Sequence, residues 1–252
     1  MENRNWGYRI IERAEFMKYK TRILVVAAIM SCAMCTVAFA GTAVSKEKNF
    51  KVNGDTYTNT ATIDAYPELA QGTIWVSGKK LPAGYYGVSA AIVKDNQVIE
   101  VTGTGYTDRE TTGLGKYTSP SRNGIVGSTY FAYGTTEVFD GERYIKEYTH
   151  NSPNQVVSRN RTGIEAQKNE DNQFDFESAV KNNEMIPAIG VDGVEGFIYP
   201  ANYIDNGIKT PEQALAKQRQ RNGNSEYINL YAEDGKTVIG KMEVTYGGAI
   251  MK

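Results

Sequence analysis

Acidic side chains in the middle of the chain could hydrolyse a glycosidic bond if two of them faced each other across a cleft. That reaction needs one carboxyl group as an acid and a second as a base or nucleophile, about 5–10 Å apart. The candidates are Glu100, Asp108, Glu110, Glu137 and Asp140. No spacing marks two of them as a pair, so we assign no catalytic residue and keep a wall-active hydrolase with paired carboxylates as an alternative.

Histidine and cysteine chemistry is nearly absent from the sequence. His150 is the only histidine and lies in the polar run 149–153, where we expect an exposed loop side chain. Cys32 and Cys35 are the only cysteines, and both lie in an apolar segment near the N-terminus. Because the usual three-ligand zinc sites draw on clusters of such residues, we predict neither a zinc site nor a cofactor.

Two other patterns could bind a metal ion or a phosphate group. Asp171, Asp175 and Glu177 lie close enough in sequence for calcium, but the glycine and the alternating oxygen ligands of an EF-hand loop are missing. The glycine-containing segments 103–105 and 113–116 lack the spacing of a Walker loop and do not lead into a helix. We therefore expect a solvated acidic surface and flexible turns, with no metal site.

Aromatic residues are the best candidates for ligand binding. Tyrosine and tryptophan combine a flat apolar ring with a polar edge, which suits contact with sugar rings or with a protein partner. Several of them fall opposite the aliphatic positions of the strands described next. We predict that an outer sheet face binds a ligand through Trp75, Tyr85, Tyr106, Tyr130 and Tyr148.

Alternating apolar residues predict the strands that must position these rings. Segments 73–77, 84–94 and 97–106 alternate with a period of two, which is typical of half-buried strands. Hairpin turns are predicted at Asn53-Gly54, Asp95-Asn96 and Asp140-Gly141. Segment 107–127 is rich in glycine, serine and threonine, which favours a long loop. The fold should be mainly β: an antiparallel β-sandwich or small barrel with one buried and one wet face.

The character of the chain changes toward the C-terminus. Thr210 can cap a helix, Pro211 suits its first turn and Gln213 completes a capping box, so a helix should run to about Arg221 and end at Asn222-Gly223. Hairpins are predicted over 189–199 and 227–244. We divide the chain into a signal peptide (1–40), a β-rich domain (41–157), a polar linker (158–188) and a smaller α+β unit (189–246).

An export signal is predicted at the N-terminus. Lys18, Lys20 and Arg22 precede the apolar run Ile23–Ala40, whose last residues are Ala38-Phe39-Ala40. The small residues Ala38 and Ala40 fit a signal peptidase site, so we expect cleavage before Gly41 and a secreted or extracytoplasmic protein. The run is shorter than the ~20 strongly apolar residues that span a bilayer comfortably. An uncleaved anchor and a true start at Met17 remain open alternatives.

Charge excludes one class of partner. The formal net charge is −1 and the pI is about 6.0, so the chain has no basic footprint for nucleic acid. We expect contact with a membrane only through the export segment.

Two blocks of sequence resemble uncharacterised small secreted proteins of Gram-positive bacteria. The first is LPAGYYGVSAAIVKDNQVIE with the later STYFAYGTTEVFDGERYIKEYTHNSPNQ, and the second is GVDGVEGFIYPANYI with TPEQALAKQRQ and INLYAEDGKTVIGKMEV. This resemblance implies export and a β-rich fold, and it carries no assigned activity. Segment Gly193–Ile204 is also similar to the Gly-Trp-Val segment of bacterial Src-homology-3-like wall-binding modules, with Phe197 where that pattern usually has tryptophan.

These observations predict an exported, non-enzymatic protein that binds a partner at or outside the cell surface. The binding surfaces would be the tyrosine-rich sheet face and the Gly193–Ile204 hairpin, and the partner a cell-surface polysaccharide or a protein. Besides the hydrolase, a secreted bacteriocin-like antibacterial protein is the second alternative.

Overall fold

Two β-sheets dominate the computed structural model, which describes residues 38–39, 41–118, 123–159, 174–204, 207–221, 223–246 and 249–251. The leader predicted over residues 1–40 therefore lies almost wholly outside the described residues. Among those that are described, no helix has the length and apolar character needed to cross a bilayer. The prediction of a mainly β fold is confirmed.

The first sheet has seven strands within the described part of the chain. They are β1 (Ala38–Phe39), β2 (Thr42–Val44), β3 (Lys48–Val52), β4 (Asp55–Tyr66), β5 (Leu69–Leu81), β9 (Thr111–Tyr117) and β17 (Ala249–Met251). The spatial order is β1-β2-β4-β5-β9-β17, and β3 pairs with β4 outside that path. All of these pairings are antiparallel.

The second sheet begins with the strands of the predicted central hairpins. They are β6 (Tyr86–Lys94), β7 (Gln97–Thr102), β8 (Gly105–Tyr106), β10 (Thr129–Phe139), β11 (Tyr144–Tyr148) and β12 (Gln155–Val156). β10 lies between β6 and β11, and β6 lies between β10 and β7. The first sheet packs onto one face of β6 and β10, which forms the predicted sandwich.

A small barrel completes the second sheet. Its further strands are β13 (Ile186–Ile189), β14 (Glu195–Ile198), β15 (Glu226–Tyr231) and β16 (Val238–Thr245). They form an antiparallel meander whose first and last strands both pair in parallel with β7. In the described residues this closes a five-stranded barrel that shares β7 with the sandwich.

Local turn chemistry explains the predicted hairpins. Asn53 and Gly54 have φ of 52° and 85°, and Asp95 and Asn96 have φ of 49° and 64°. Positive φ at both central residues is the requirement of a type I′ turn, whose twist matches that of the flanking strands. Val52 pairs with Asp55 across the first turn.

The loop predicted over residues 107–127 is wrong in its middle part, where β9 lies between β5 and β17. A Cβ placed at Gly115 would lie 2.8 Å from the ring of Trp75, and one at Gly113 would lie 2.6 Å from the carbonyl oxygen of Val76. Glycine is thus required by close packing against β5. The same glycines weaken the apolar alternation from which strands are predicted.

β6 is buried on both faces, which corrects the expectation of one buried and one wet face. Every residue from Tyr86 to Val93 is buried. One face packs against the first sheet through Val88, Ala90 and Ile92. The other face packs through Ala91 and Val93 against the barrel and a helix described next. A strand buried on both sides shows a continuous apolar run instead of alternation.

The predicted linker also differs from the structure within its described part. Helix α1 (Phe176–Asn182) lies there, and β13 follows it. Phe176 is 0% exposed, and its ring stacks on that of Tyr133 with 4.4 Å between centroids. The polar composition of the segment conceals this anchor, because exposed polar residues such as Asp175, Lys181 and Asn182 lie beside it in the sequence. Residues Thr36–Lys252 form one compact unit.

The C-terminal helices are short and well capped. α2 spans Ala201–Ile204 and α3 spans Pro211–Arg221. Thr210 Oγ1 accepts a 3.4 Å hydrogen bond from the Gln213 backbone N–H, and the Gln213 side chain accepts one of 2.9 Å from the Lys209 N–H. Gly223 has φ of 77°, in the left-handed region that follows many helices. Asn222 lies outside the described residues.

Candidate functional site

The predicted aromatic face does not form as one surface, because two of its members are in the core. Tyr106 is 3% exposed and Tyr130 is 1% exposed. Tyr106 donates to a carboxylate, and the Tyr130 hydroxyl accepts a 3.0 Å hydrogen bond from the backbone N–H of Ile125. Both hydroxyl groups are therefore used inside the fold, which corrects their assignment to an outer ligand-binding face.

The other three candidates are half-buried and lie in different places. Trp75, on β5, covers Gly115 of β9. Tyr148, on β11, packs against the core that surrounds α1. Tyr85 precedes β6, and its ring meets that of Phe139 with 5.2 Å between centroids.

Only Tyr85 and Tyr106 are brought together, through two rings between them. Phe139 contacts Tyr144 at 5.2 Å, and Tyr144 contacts Tyr106 at 5.3 Å. This aromatic row covers one end of β6. Tyr130 pairs with Lys94 at the other end of that strand.

The most distinctive titratable group is a buried carboxylate at the centre of the second sheet. We call Thr104, Tyr106, Glu137 and Lys146 the Glu137 cluster. Glu137, on β10, is 1% exposed and receives a 2.9 Å hydrogen bond on Oε2 from the Tyr106 hydroxyl. Lys146 Nζ lies 3.5 Å from Oε1, and Lys146 is the register partner of Glu137 on β11.

Burial raises the pKa of the Glu137 carboxyl, while the Lys146 ammonium and the Tyr106 hydroxyl lower it. Burial has the largest effect, so the protonated form is favoured relative to an exposed glutamate. The Thr104 hydroxyl also faces the carboxyl group and lowers its pKa. The cluster is a buried acid beside a phenol and an ammonium group, an arrangement that can hold or transfer a proton.

Helix α3 positions the Glu137 cluster from outside the sheet. The Gln218 side chain accepts a 2.8 Å hydrogen bond from the Tyr106 backbone N–H and donates one of 3.1 Å to its carbonyl oxygen. Gly87 leaves room for the Tyr106 ring, since a Cβ there would lie 2.7 Å from it. The sequence identified Glu137 only as one acid among several, because nothing local marks its burial.

The two buried glutamates are too far apart to act as a carboxylate pair. Glu100 pairs with Ile92 on β6, and Glu137 pairs with Gly87 on the same strand. The two β6 positions are five residues apart, or about 17 Å along a strand. A glycosidase pair needs about 5–10 Å.

A second buried charge lies on β9. Lys116 is 1% exposed, and its Nζ donates a 3.1 Å hydrogen bond to the carbonyl oxygen of Tyr246. Burial, with a smaller effect from the nearby Arg221, lowers the pKa of Lys116 to about 8. The Arg221 guanidinium lies 3.8 Å from the centroid of the Tyr246 ring. This lysine is close to half-neutral near pH 8.

No group of three or more histidine, cysteine or acidic side chains converges on a metal site within the described ranges. His150 is exposed in a loop, as the sequence predicts. Asp175 caps α1 by accepting from the Ser178 N–H, and Glu177 pairs with Lys48 at 2.8 Å. Asp171 lies outside the described residues.

Four exposed aliphatic residues lie on adjoining parts of the barrel, in the β13–β14 turn and in the first two residues of β16. We call Val191, Val194, Val238 and Ile239 the barrel rim; their exposures are 60, 38, 50 and 38%. The Val191 N–H donates a 2.9 Å hydrogen bond to the carbonyl oxygen of Lys241, which ties the β13–β14 turn to β16. A Cβ placed at Gly196 would lie 2.9 Å from Cδ1 of Ile239. The rim thus joins the tip of the predicted interaction hairpin to the start of β16.

Comparison with known proteins adds no relative. No protein-family model, no curated protein and no solved structure matches the chain.

Proposed function

We propose that the protein is exported and acts as a non-enzymatic binding protein at or outside the cell surface, where a protein partner docks on the barrel rim. The exposed aliphatic rim is the observation that carries this proposal. Burying one valine or isoleucine side chain contributes about 1.5–3 kcal/mol. Neighbouring exposed aliphatic residues in a small, rigid barrel therefore favour association with a complementary surface.

The chemistry of the rim favours a protein over a polysaccharide. Sugar rings are bound mainly against flat aromatic faces, and the rim is aliphatic. The half-buried rings of Trp75 and Tyr85 lie in different parts of the molecule. The rim is flanked by the exposed charged residues Asp192, Glu195 and Lys241. An apolar centre with a polar border is typical of protein interfaces.

Export is supported by the leader sequence. The separation of the two buried glutamates disfavours one form of the alternative hydrolase. The pattern of basic residues, apolar run and Ala38-Phe39-Ala40 is that of a cleaved signal. The β6 partners of Glu100 and Glu137 lie about 17 Å apart along the strand, at about 3.3 Å per residue. This separation disfavours a hydrolase that uses these two acids.

The test is retention of the purified exported protein on intact producer cells and on cells treated with protease. The wild type should be retained on intact cells and lost from treated ones. The double variant Val191→Asp/Ile239→Asp should lose retention, while Val126→Asp, an exposed valine outside the rim, should not. Retention unchanged by the double variant would contradict the proposed surface.

Two further outcomes distinguish the alternatives. Retention on purified wall polysaccharide that survives protease treatment would identify a carbohydrate partner. Turnover of a wall substrate, or killing of neighbouring bacteria by the protein, would favour the hydrolase or the antibacterial protein.

A further inference from the structure

We infer that cleavage after Ala40 creates an α-ammonium group at Gly41 that pairs with the carboxylate of Asp64. This inference rests on the proposed export. In the reaction, water adds across the amide between residues 40 and 41, catalysed by the signal peptidase of the exporting cell. The C–N bond breaks, Ala40 leaves as a carboxylate, and the nitrogen of Gly41 takes up protons to become an ammonium group. Ala40 itself lies outside the described residues.

Gly41 is held in place by residues that follow it in the chain. Its carbonyl oxygen accepts a 2.6 Å hydrogen bond from the backbone N–H of Ala65. Its φ is 84°, and the ring of Tyr66 covers it so closely that a Cβ would overlap the ring. These contacts come from β4 and do not involve the leader. The position of Gly41 is therefore expected to persist after cleavage.

Asp64 is a partly desolvated carboxylate beside that position. It pairs in register with Thr42, the residue after Gly41. Burial raises the pKa of Asp64, and a 2.5 Å hydrogen bond donated by Thr42 Oγ1 opposes that effect. Within the described ranges, no lysine or arginine forms an ion pair with Asp64. A carboxylate in such a setting is stabilised by a nearby cation.

The other groups that the structure describes around Asp64 carry no positive charge. The Tyr66 hydroxyl lies 2.8 Å from Thr42 Oγ1, on the same side of β4. On the opposite neighbour, β5, the register partner of Asp64 is the uncharged Gln71, whose side chain donates to the carbonyl oxygen of Thr118. The ammonium of Gly41 would therefore supply a cation that the described residues do not offer to Asp64.

Cleavage also removes β1, in which Ala38 pairs with Ala43 and Phe39 pairs with Thr42 of β2. β2 then becomes the edge of the first sheet, with its end fixed by the new ion pair. The processed form thus exchanges a short edge strand for a charge pair at the same place.

The experiment compares α-amine reactivity in two forms of the protein, one beginning at Gly41 and one beginning at Ala40. Acetylation of the α-amine at pH 7 is followed by mass spectrometry. An ordinary α-amino pKa is about 7.7–8.0. Pairing that raises this pKa by about 1 should make acetylation of the Gly41 form about tenfold slower than that of the Ala40 form.

Substitutions assign the effect to Asp64. Asp64→Asn should restore ordinary reactivity to the Gly41 form. Asp55→Asn is the control, since Asp55 lies on the same strand but pairs with Lys79 at 3.0 Å. It should leave acetylation of the Gly41 form slow. Equal acetylation rates of the Gly41 form with and without Asp64→Asn would overturn the ion pair.

N-terminal sequencing of the exported protein tests the cleavage separately. A chain that begins at Gly41 supports the processing step, and another first residue or an intracellular full-length chain overturns it. Loss of binding at the barrel rim would affect neither measurement, so failure of the binding proposal is distinguishable from failure of the ion pair.

Discussion

The Tyr106 hydroxyl and the Glu137 carboxylate are joined by a 2.9 Å hydrogen bond inside the second sheet. This bond connects the two-residue strand β8 to the long strand β10, and Lys146 extends the connection to β11. The titratable centre of the link is almost fully buried. Its protonation should therefore be coupled to the stability of the sheet.

Replacing Glu137 by glutamine should change how stability depends on pH. The folded-state pKa of Glu137 is raised, so the folded chain holds this proton more tightly than the unfolded chain. The contribution of this proton to the free energy of unfolding is fully present below the unfolded-state pKa of about 4.5. It is lost as the pH rises through the folded-state pKa. Glutamine does not titrate, so Glu137→Gln should gain stability relative to the wild type as the pH rises above about 4.5.

Urea unfolding of both proteins at several pH values measures this difference. Glu142→Gln, at an exposed position in the turn before β11, is the matched control and should follow the wild-type profile. Parallel profiles for wild type and Glu137→Gln would show that burial does not perturb this acid.

Replacing Lys116 by methionine should remove a pH-dependent increase in the free energy of unfolding at alkaline pH. The pKa of Lys116 falls from 10.5 to about 8 in the folded chain. The unfolded chain therefore binds more protons between these values, and wild-type stability due to this group rises with pH over that window. Lys116→Met should lack this rise of about 3 kcal/mol.

The difference in free energy of unfolding between the two proteins, measured at pH 7.5 and pH 10, checks the prediction. Using the difference removes the shared titration of the tyrosines. Lys51→Met, at an exposed position on β3, serves as the control. A pH-independent difference for Lys116→Met would mean that Lys116 has an ordinary pKa.

Truncating Phe176 should strongly destabilise the fold. Its side chain is fully buried between Tyr133, Phe131 and Phe174. Phenylalanine-to-alanine substitutions in a core cost about 3–5 kcal/mol. Chemical denaturation of Phe176→Ala should show this loss, while Glu184→Ala, exposed just beyond α1, should change stability by less than about 0.5 kcal/mol. A loss below 1 kcal/mol would restore the interpretation of this segment as a loose linker.

Adding a methyl group at Gly115 should disturb the packing of Trp75. The new Cβ would lie 2.8 Å from three atoms of the indole ring. Overpacking of this kind costs about 1–3 kcal/mol. Trp75 is the only tryptophan after residue 40, so its fluorescence in the processed protein reports the change directly. Thr112→Ala, at an exposed position on β9, should leave both stability and emission unchanged, and the same result for Gly115→Ala would contradict the close contact.

The accuracy of the sequence-based predictions depended on the range of the interactions involved. The Asn53-Gly54 and Asp95-Asn96 turns and the capped start of α3 at Thr210 were predictable because φ preferences and caps act within a few residues. β9 was missed because its glycines are required by close packing against Trp75 and Val76, which lie more than thirty residues away in the sequence. Tyr106 and Tyr130 were placed outside because alternation cannot show that a second layer covers the other face of the sheet.

Local backbone preference and composition were enough to predict the mainly β class, the hairpin turns, the α3 cap and the exposed position of His150. The cover on both faces of β6, the closure of a barrel by β7 and the burial of Glu137 arise from contacts between distant parts of the folded chain. The fold also brought the backbone of Val191 to that of Lys241, and it paired Thr42, the residue after Gly41, with Asp64. These relationships depend on which distant strands pair, because burial and the local dielectric are set by neighbours that are remote in sequence.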